Sequence, residues 1–394
     1  MTPVARGLTN AIEPNVACAR AVRSRPAIGE SPGFEGLNLP EDAHNPASGA
    51  AGSDPHRDTL RFQAPVPARS VGQLLTSFGG FFAVCALMYL GVLLSVWVAL
   101  PLSIVAAGFL VRIFIIQHDC GHGSFFRSRR LNHVVGNLCS LVTLTPYALW
   151  RRQHAAHHGS WNNLDRRGAT GLDIYSSCLT VVEYRRLTRW RQLLYRVARN
   201  PLAANLLFPP LIFMLVYRVP FDSAKGWWRE RRAVFLTDMA LVILIGGLGR
   251  VLGYDRVAAV QLPIMVIASI AGVWLFSIQH RFEHTLWSPG SAWSFTAAAL
   301  GSASHLDLPP ILRWFTGNIG FHHVHHLNPR IPNYRLKECH DSAAILQTVP
   351  RLTLGAALRS TRYALWDDEV GRMVRFPAPQ PDAAKLRFKA SAGR

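Results

Sequence analysis

Most of the 16 histidines in this 394-residue chain fall into four short clusters. His118 and His122 are spaced i, i+4, as are His280 and His284; His154, His157 and His158, and again His322, His325 and His326, show i, i+3, i+4. On a helix these spacings bring the imidazoles to one face. One such pair is an ordinary polar face, whereas four in one chain read as a metal-ligand set. Neutral imidazole suits zinc, copper and iron, so residue type alone does not name the element. The number of ligands says more: these histidines exceed the roughly six positions of an octahedral ion, and two ions sharing one site is the economical arrangement. Zinc has no redox chemistry, whereas two nitrogen-rich iron ions with an open position would suit dioxygen activation. The six cysteines include no C-x-x-C pair, and Cys120 lies on a different helical face from its neighbouring histidines, so no thiolate set competes.

Elements that could carry such a site stand out in the hydropathy. Hydrophobic residues make up 49% of the chain and charged residues 16%, against about 25% charged in a soluble domain. The apolar residues come in blocks near the roughly 20 residues that cross a bilayer as a helix: Phe78 to Trp97, Val98 to Gln117, Val234 to Leu252 and Val257 to Ile278. The first two read as a helical hairpin broken at Leu100-Pro101. Leu131 to Leu149, and Leu202 to Val219 with Pro209-Pro210 at its centre, read as interfacial or partly inserted helices. Residues 1–70, rich in Ala, Pro, Gly, Asp and Arg and without an apolar signal core, read as a disordered tail. Residues 71–375 form the membrane domain, and 376–394 a loose C-terminal tail. The expected fold is therefore all-α: an integral membrane protein of about four transmembrane helices with interfacial helices and a histidine-rich cap.

Charge orients it. Lys and Arg total 42 against 23 Asp and Glu, a net +19, and many of the arginines lie between the second and third spans. The positive-inside tendency puts both termini and that central segment in the cytoplasm of a multi-pass inner-membrane protein. His118 directly follows the second span and His280 the fourth, so the clusters converge at the cytoplasmic face. A basic surface beside spans points to anionic lipid head groups rather than nucleic acid.

The residues around the clusters resemble a family. His118-Asp-Cys-Gly-His122-Gly-Ser-Phe-Phe, Arg152-Gln-His-Ala-Ala-His-His-Gly, Gln279-His-Arg-Phe-Glu-His and Asn318-Ile-Gly-Phe-His-His-Val-His-His-Leu-Asn-Pro are similar to the histidine boxes of the integral-membrane fatty acid desaturases, nearest the omega-6 or delta-12 acyl-lipid type. The resemblance covers about Leu74 to Asp341. It implies a non-haem di-iron enzyme that uses dioxygen and two electrons to place a cis double bond in a long acyl chain. It further implies that His118, His122, His154, His157, His158, His322, His325 and His326 form the catalytic metal set. One more ligand is expected after the last span, where His280 and His284 both carry the family's spacing, with His284 preferred. His323, extra to the boxes, reads as a hydrogen-bond donor behind the ligands, and Asp119, Asp165, Asp173 and Glu283 read either as carboxylates that orient imidazoles or as solvated loop carboxylates. The segment from Asn163 resembles the family's loop after the second box, with Thr170 to Asp173 longer than usual.

The remaining residues draw weaker readings. His133, His305 and His340 read as ordinary hydrogen-bonded histidines, and Trp150, Trp161, Trp274, Trp287, Trp293 and Trp314 as interface anchors and packing. Asp238, inside the third span, must face protein or water. Gly246-Gly-Leu-Gly lacks the strand and helix of a dinucleotide loop. Electrons must then come from a partner, an acidic ferredoxin or a cytochrome docking on the arginine-rich face. The rivals are a hydroxylase of acyl chains, alkanes or carotenoids on the same scaffold, and a metal transporter, which would hold its ligands mid-span rather than at span ends.

Overall fold

The computed structural model describes residues 54–167, 177–220 and 223–377. Among the described residues four helices are long and apolar enough to cross a membrane: α1 (Pro67–Leu94), α2 (Val96–His122), α7 (Trp228–Leu252) and α8 (Tyr254–Ile278). Between them lie α3 (Arg129–Thr143), α4 (Tyr147–His158), α5 (Arg189–Ala198) and α6 (Phe208–Met214), and beyond them a short α9 (His322–Leu327). α2 is the central post, packing on α1, α3 and α8. Met88, Ile113, Ile116, Val260 and Ile264 are fully buried at those contacts, while Leu90, Val242, Ile243 and Val251 point outward. That outward apolar belt is what a bilayer would cover.

The first hairpin turns at Ser95, not at Leu100-Pro101. Ser95 is extended (φ −168°) and its side chain accepts from the Trp97 N–H, which starts α2, while Pro101 lies inside the helix. Proline there removes one i→i−4 bond without ending the helix, because the turn has already been made. The second hairpin is tighter still. α7 and α8 are joined by Gly253 alone, whose φ of 93° suits a residue without a Cβ.

The two weaker apolar segments form helices as expected, though not single ones. Leu131 to Leu149 is split between α3 and α4. Leu202 to Val219 runs as a π-helical stretch Ala203–Leu207, then α6 and a short 3₁₀ turn, bent 53° from α5. Pro209 and Pro210 sit at the start of α6, where missing N–H groups cost little. Asp238 does face protein: its Oδ1 accepts from Arg218 Nη1 at 2.6 Å, tying this segment to α7.

The chain folds earlier than expected. Residues 54–70, assigned to the tail, contain the short helix Pro55–Thr59 and the start of α1, with Thr59, Phe62 and Ser70 buried. Asn328, just past α9, donates to Thr59 Oγ1 at 2.8 Å and accepts from Gln63 Nε2 at 3.0 Å. At the other end Phe376 packs on Tyr184 and Tyr195. Short strands clip the cap together. β1 (Leu179–Thr180) pairs in parallel with β4 (Leu365–Asp367), which pairs antiparallel with β5 (Arg372–Val374); β2 (His305–Leu306) pairs in parallel with β3 (Arg351–Leu352).

Candidate metal centre

Each histidine cluster owes its position to a local stop. α2 carries His118 and His122 and ends at Gly123, whose left-handed φ of 71° lets its N–H return to the Asp119 and Cys120 carbonyls. α4 carries His154, His157 and His158 and stops at Gly159. α9 carries His322, His325 and His326 and follows a bend at Gly317 and Asn318, both with positive φ. The fourth cluster departs from helical spacing. α8 ends at Ile278, so His280 and His284 lie on a turn and not on one helical face. His280 is buried and faces the other boxes, whereas His284 is exposed and touches none of their rings among the described residues. The preference for His284 is thus corrected to His280.

Two groups of ring nitrogens result. His118, His122, His154, His158 and His325 form one, and His157, His280 and His326 the other, the ligand atoms of each group lying within 4.8 Å of one another. His322 joins the second group, with its Nε2 at 2.9 Å from His280 Nε2 and 3.2 Å from His326 Nε2. The groups stand side by side, with the His158 and His326 rings stacked at 4.2 Å.

The contacts test whether cations fit. His118 Nδ1 lies 3.2 Å from Asp119 Oδ1, and His280 Nδ1 lies 3.2 Å from the Ser302 carbonyl. Both partners are acceptors, so each ring carries its proton on Nδ1 and turns a bare Nε2 inward. There His118 Nε2 meets His325 Nε2 at 3.1 Å, and His280 Nε2 meets His157 Nε2 at 3.2 Å. His122 Nε2 is buried with no hydrogen-bond partner among the described residues. Burial first, and neighbouring imidazoles second, push His154, His158, His322, His325 and His326 well below the usual imidazole range. They are neutral at neutral pH, the form that binds metal. Converging neutral lone pairs with too few protons between them fit a cation in each group.

Of the four carboxylates, Asp119 alone is seen to orient an imidazole. Its other oxygen accepts from Asn333 N at 2.7 Å and Asn333 Nδ2 at 2.9 Å. Asp165 instead accepts from Gly290 N, and Glu283 binds Tyr363 and Arg372; Asp173 lies outside the described residues. His323 does not back a ligand either. Its Nε2 pairs with His340 Nδ1 at 3.0 Å, with His305 against the His340 ring at 4.8 Å. Two tryptophans read as packing belong to the site: Trp150 stacks on His154 at 4.7 Å, and Trp161 contacts His326 at 4.4 Å.

Below the histidines lies a cavity of about 170 Å³. Its upper wall includes His118, His154, His157 and His322, so it reaches both groups; its lower wall is apolar, with Leu110, Val111, Ile212, Phe213, Met265 and Val273. The pocket is thus apolar along most of its wall and ends at the paired nitrogen groups. The sequence profile of the family described as "Fatty acid desaturase" matches residues 95–353. This chain belongs to that family. It is 40% identical over 344 residues to a "Fatty acid desaturase" of Bacillus subtilis, covering 85% of this chain and 96% of the relative. Two proteins of Synechocystis are also similar. The "sn-1 oleoyl-lipid 12-desaturase" is 26% identical over 65% of this chain and 72% of its own length. The "sn-1 acyl-lipid omega-3 desaturase (ferredoxin)" is 28% identical over 69% and 74%. The desaturase is thus an oxidoreductase of lipid metabolism, and its matched span contains all four histidine clusters.

Proposed function

We propose that this desaturase holds an iron ion in each histidine group and inserts a cis double bond into the acyl chain of a membrane lipid. The ligands are His118, His122, His154, His158 and His325 for one ion, and His157, His280, His322 and His326 for the other. The observation that carries the reading is the apolar cavity whose polar end is formed by members of both groups. Iron there would supply the one-electron chemistry with dioxygen that an unactivated methylene requires and no side chain provides. The chain's own residues do the rest. The cavity wall removes water and holds the chain extended, so that adjacent carbons lie under the histidines. Asp119 fixes the His118 ring, the Ser302 carbonyl fixes His280, and Trp150 and Trp161 confine the rings they touch.

Acyl-lipid substrates are supported by the names of the Synechocystis relatives, and a ferredoxin-type donor by one of them. The exposed Arg185, Arg186 and Arg191 offer such an acidic carrier a basic face. Arginine placement supports histidine clusters on the cytoplasmic side. The test is iron per polypeptide in detergent-purified protein, paired with the fatty-acid profile of lipids from an expressing host. About two irons per chain and new olefinic acids are expected, with both lost in His157→Ala and His325→Ala. Zinc alone in iron-replete cells, hydroxylated acids in place of olefins, or a His325→Ala protein that still desaturates normally would overturn it.

A further inference from the structure

Gly272 stands where α8 forms the wall of the cavity, and a Cβ built on it meets no atom within 4 Å. Some helical glycines in this chain have a neighbour pressed against them: at Gly80 a Cβ would meet the Phe109 ring at 2.3 Å, and at Gly249 the Tyr254 ring at 2.2 Å, while Gly72, Gly79, Gly246 and Gly247 have none but do not line the cavity. Gly272 has no such neighbour. Gly272 lines the same cavity as Ile212 and Phe213 of α6, and Ala268 and Ser269 continue the small-residue wall one turn below. A glycine in mid-helix is otherwise a poor choice, since alanine and leucine both favour the helix more. Among the described residues Gly272 alone both meets nothing and lines this cavity, so its missing side chain adds volume there.

Its height in the cavity gives that volume a meaning. Gln279, which caps α8 beside His280, marks the histidine end of this wall. Seven residues of helix separate it from Gly272, about 10 Å at the rise of an α-helix. An extended acyl chain gains about 1.3 Å per carbon along its axis, so position 272 lies about eight carbons from the reacting pair. We propose that Gly272 is a specificity-determining residue that sets how much acyl chain extends past the carbons to be desaturated. The proposal rests on the cavity being the acyl site. A side chain at 272 shortens the usable depth, so longer chains either fail to seat or are attacked nearer their inserted end.

The experiment expresses wild type, Gly272→Ala, Gly272→Leu and Gly247→Leu in a host fed fatty acids of graded length, and locates the double bonds by mass spectrometry of derivatised products. Gly247 is the control because a Cβ there also meets nothing, yet it lies exposed on α7 outside the cavity. Gly272→Leu should lower the ratio of long-chain to short-chain product by at least about tenfold, the discrimination one excess methylene brings in an apolar pocket, or shift the double bond toward the inserted end. Gly272→Ala should move the ratio the same way by less, and Gly247→Leu should match wild type. Should Gly272→Leu lose iron, Gly272→Ala decides alone. Product lengths and positions identical to wild type in an iron-replete Gly272 variant would overturn the proposal. Absence of any olefin from wild type would instead refute the acyl-site reading beneath it.

Discussion

Asp119 is where the fold and the metal centre are tied by one side chain, so its removal should cost both. The carboxylate is buried, receives the His118 Nδ1 proton through one oxygen, and accepts from Asn333 N and Nδ2 through the other. Asp119→Ala strands His118 Nδ1–H and Asn333 N–H, because Asn333 Nδ2 keeps a second partner in Gln73 Oε1 at 3.2 Å. Each stranded buried donor costs about 1–3 kcal/mol, so a loss of about 2–6 kcal/mol in fold stability is expected. Freed of its partner, the His118 ring can rotate or take the other tautomer, and loss of such a partner weakens metal about 10–100-fold. That is about 1.4–2.7 kcal/mol on the binding side. The assay is iron retained against a graded chelator, with thermal unfolding in detergent measured on the same samples. Asp165→Ala is the comparison, since Asp165 accepts from Gly290 N and touches no clustered imidazole. Iron retention and melting equal to wild type in Asp119→Ala, or equal losses in both variants, would refute the assignment.

Further expectations follow from single contacts. Gly320→Ala places a Cβ 2.5 Å from the Leu306 carbonyl oxygen, a backbone atom that no rotamer change relieves; with overpacking costing about 1–3 kcal/mol, it should displace His322 and lower iron content by elemental analysis. Asp238→Ala leaves Arg218 without its ion pair at a position about a quarter exposed, so a loss of about 1–3 kcal/mol, below that of a fully buried pair, is expected by thermal melting and should be partly recovered by Arg218→Met in the same chain. Arg185→Glu with Arg186→Glu should slow reduction by a purified acidic donor at low salt and flatten its salt dependence, with stopped-flow rates unchanged at both salts as the contrary result. A cysteine at Asp255, in the first turn of α8, should label from outside intact cells while one at the exposed His284 should not, and the reverse pattern would invert the topology.

The reading of the sequence succeeded where a property is local. The spacings at His118/His122, His154/His158 and His322/His326 bring their rings together because each pair lies within one helix. The preference for His284 over His280 went the wrong way because the choice depends on where α8 stops, and Ser277 to Glu283 contains no glycine or proline to mark the end. The hairpin turn was misplaced for the opposite reason: Pro101 is a visible breaker, yet the polar Ser95, unobtrusive among apolar neighbours, makes the turn. Residues acting at long range carried no signal. Trp161 looks like any other tryptophan until the turn after α4 meets α9, and Thr59 and Phe62 sit in a composition typical of disorder while contributing to the cap.

The third histidine cluster shows why distant pieces must hold the site. α9 is six residues long, too short to persist as an isolated helix in water, yet its histidines belong to both groups. What fixes it lies elsewhere in the chain: Thr59 and Gln63 hold Asn328 at its end, the Leu306 N–H donates to the Gly320 carbonyl at 2.8 Å before its start, and Asp119 grips Asn333 beyond it. α2 is thus joined to the segment after α9 by Asp119 even without metal, while His118 and His325 would share an ion. With metal held as proposed, binding and cap folding would be coupled through the same residues, since ions that bind only the assembled groups stabilise the assembled state. Chelation should therefore lower the melting temperature of wild type and Asp165→Ala alike, while Asp119→Ala, already short of metal, should respond least. A cap equally stable with and without chelator in all three proteins would mean that the protein contacts alone assemble the site.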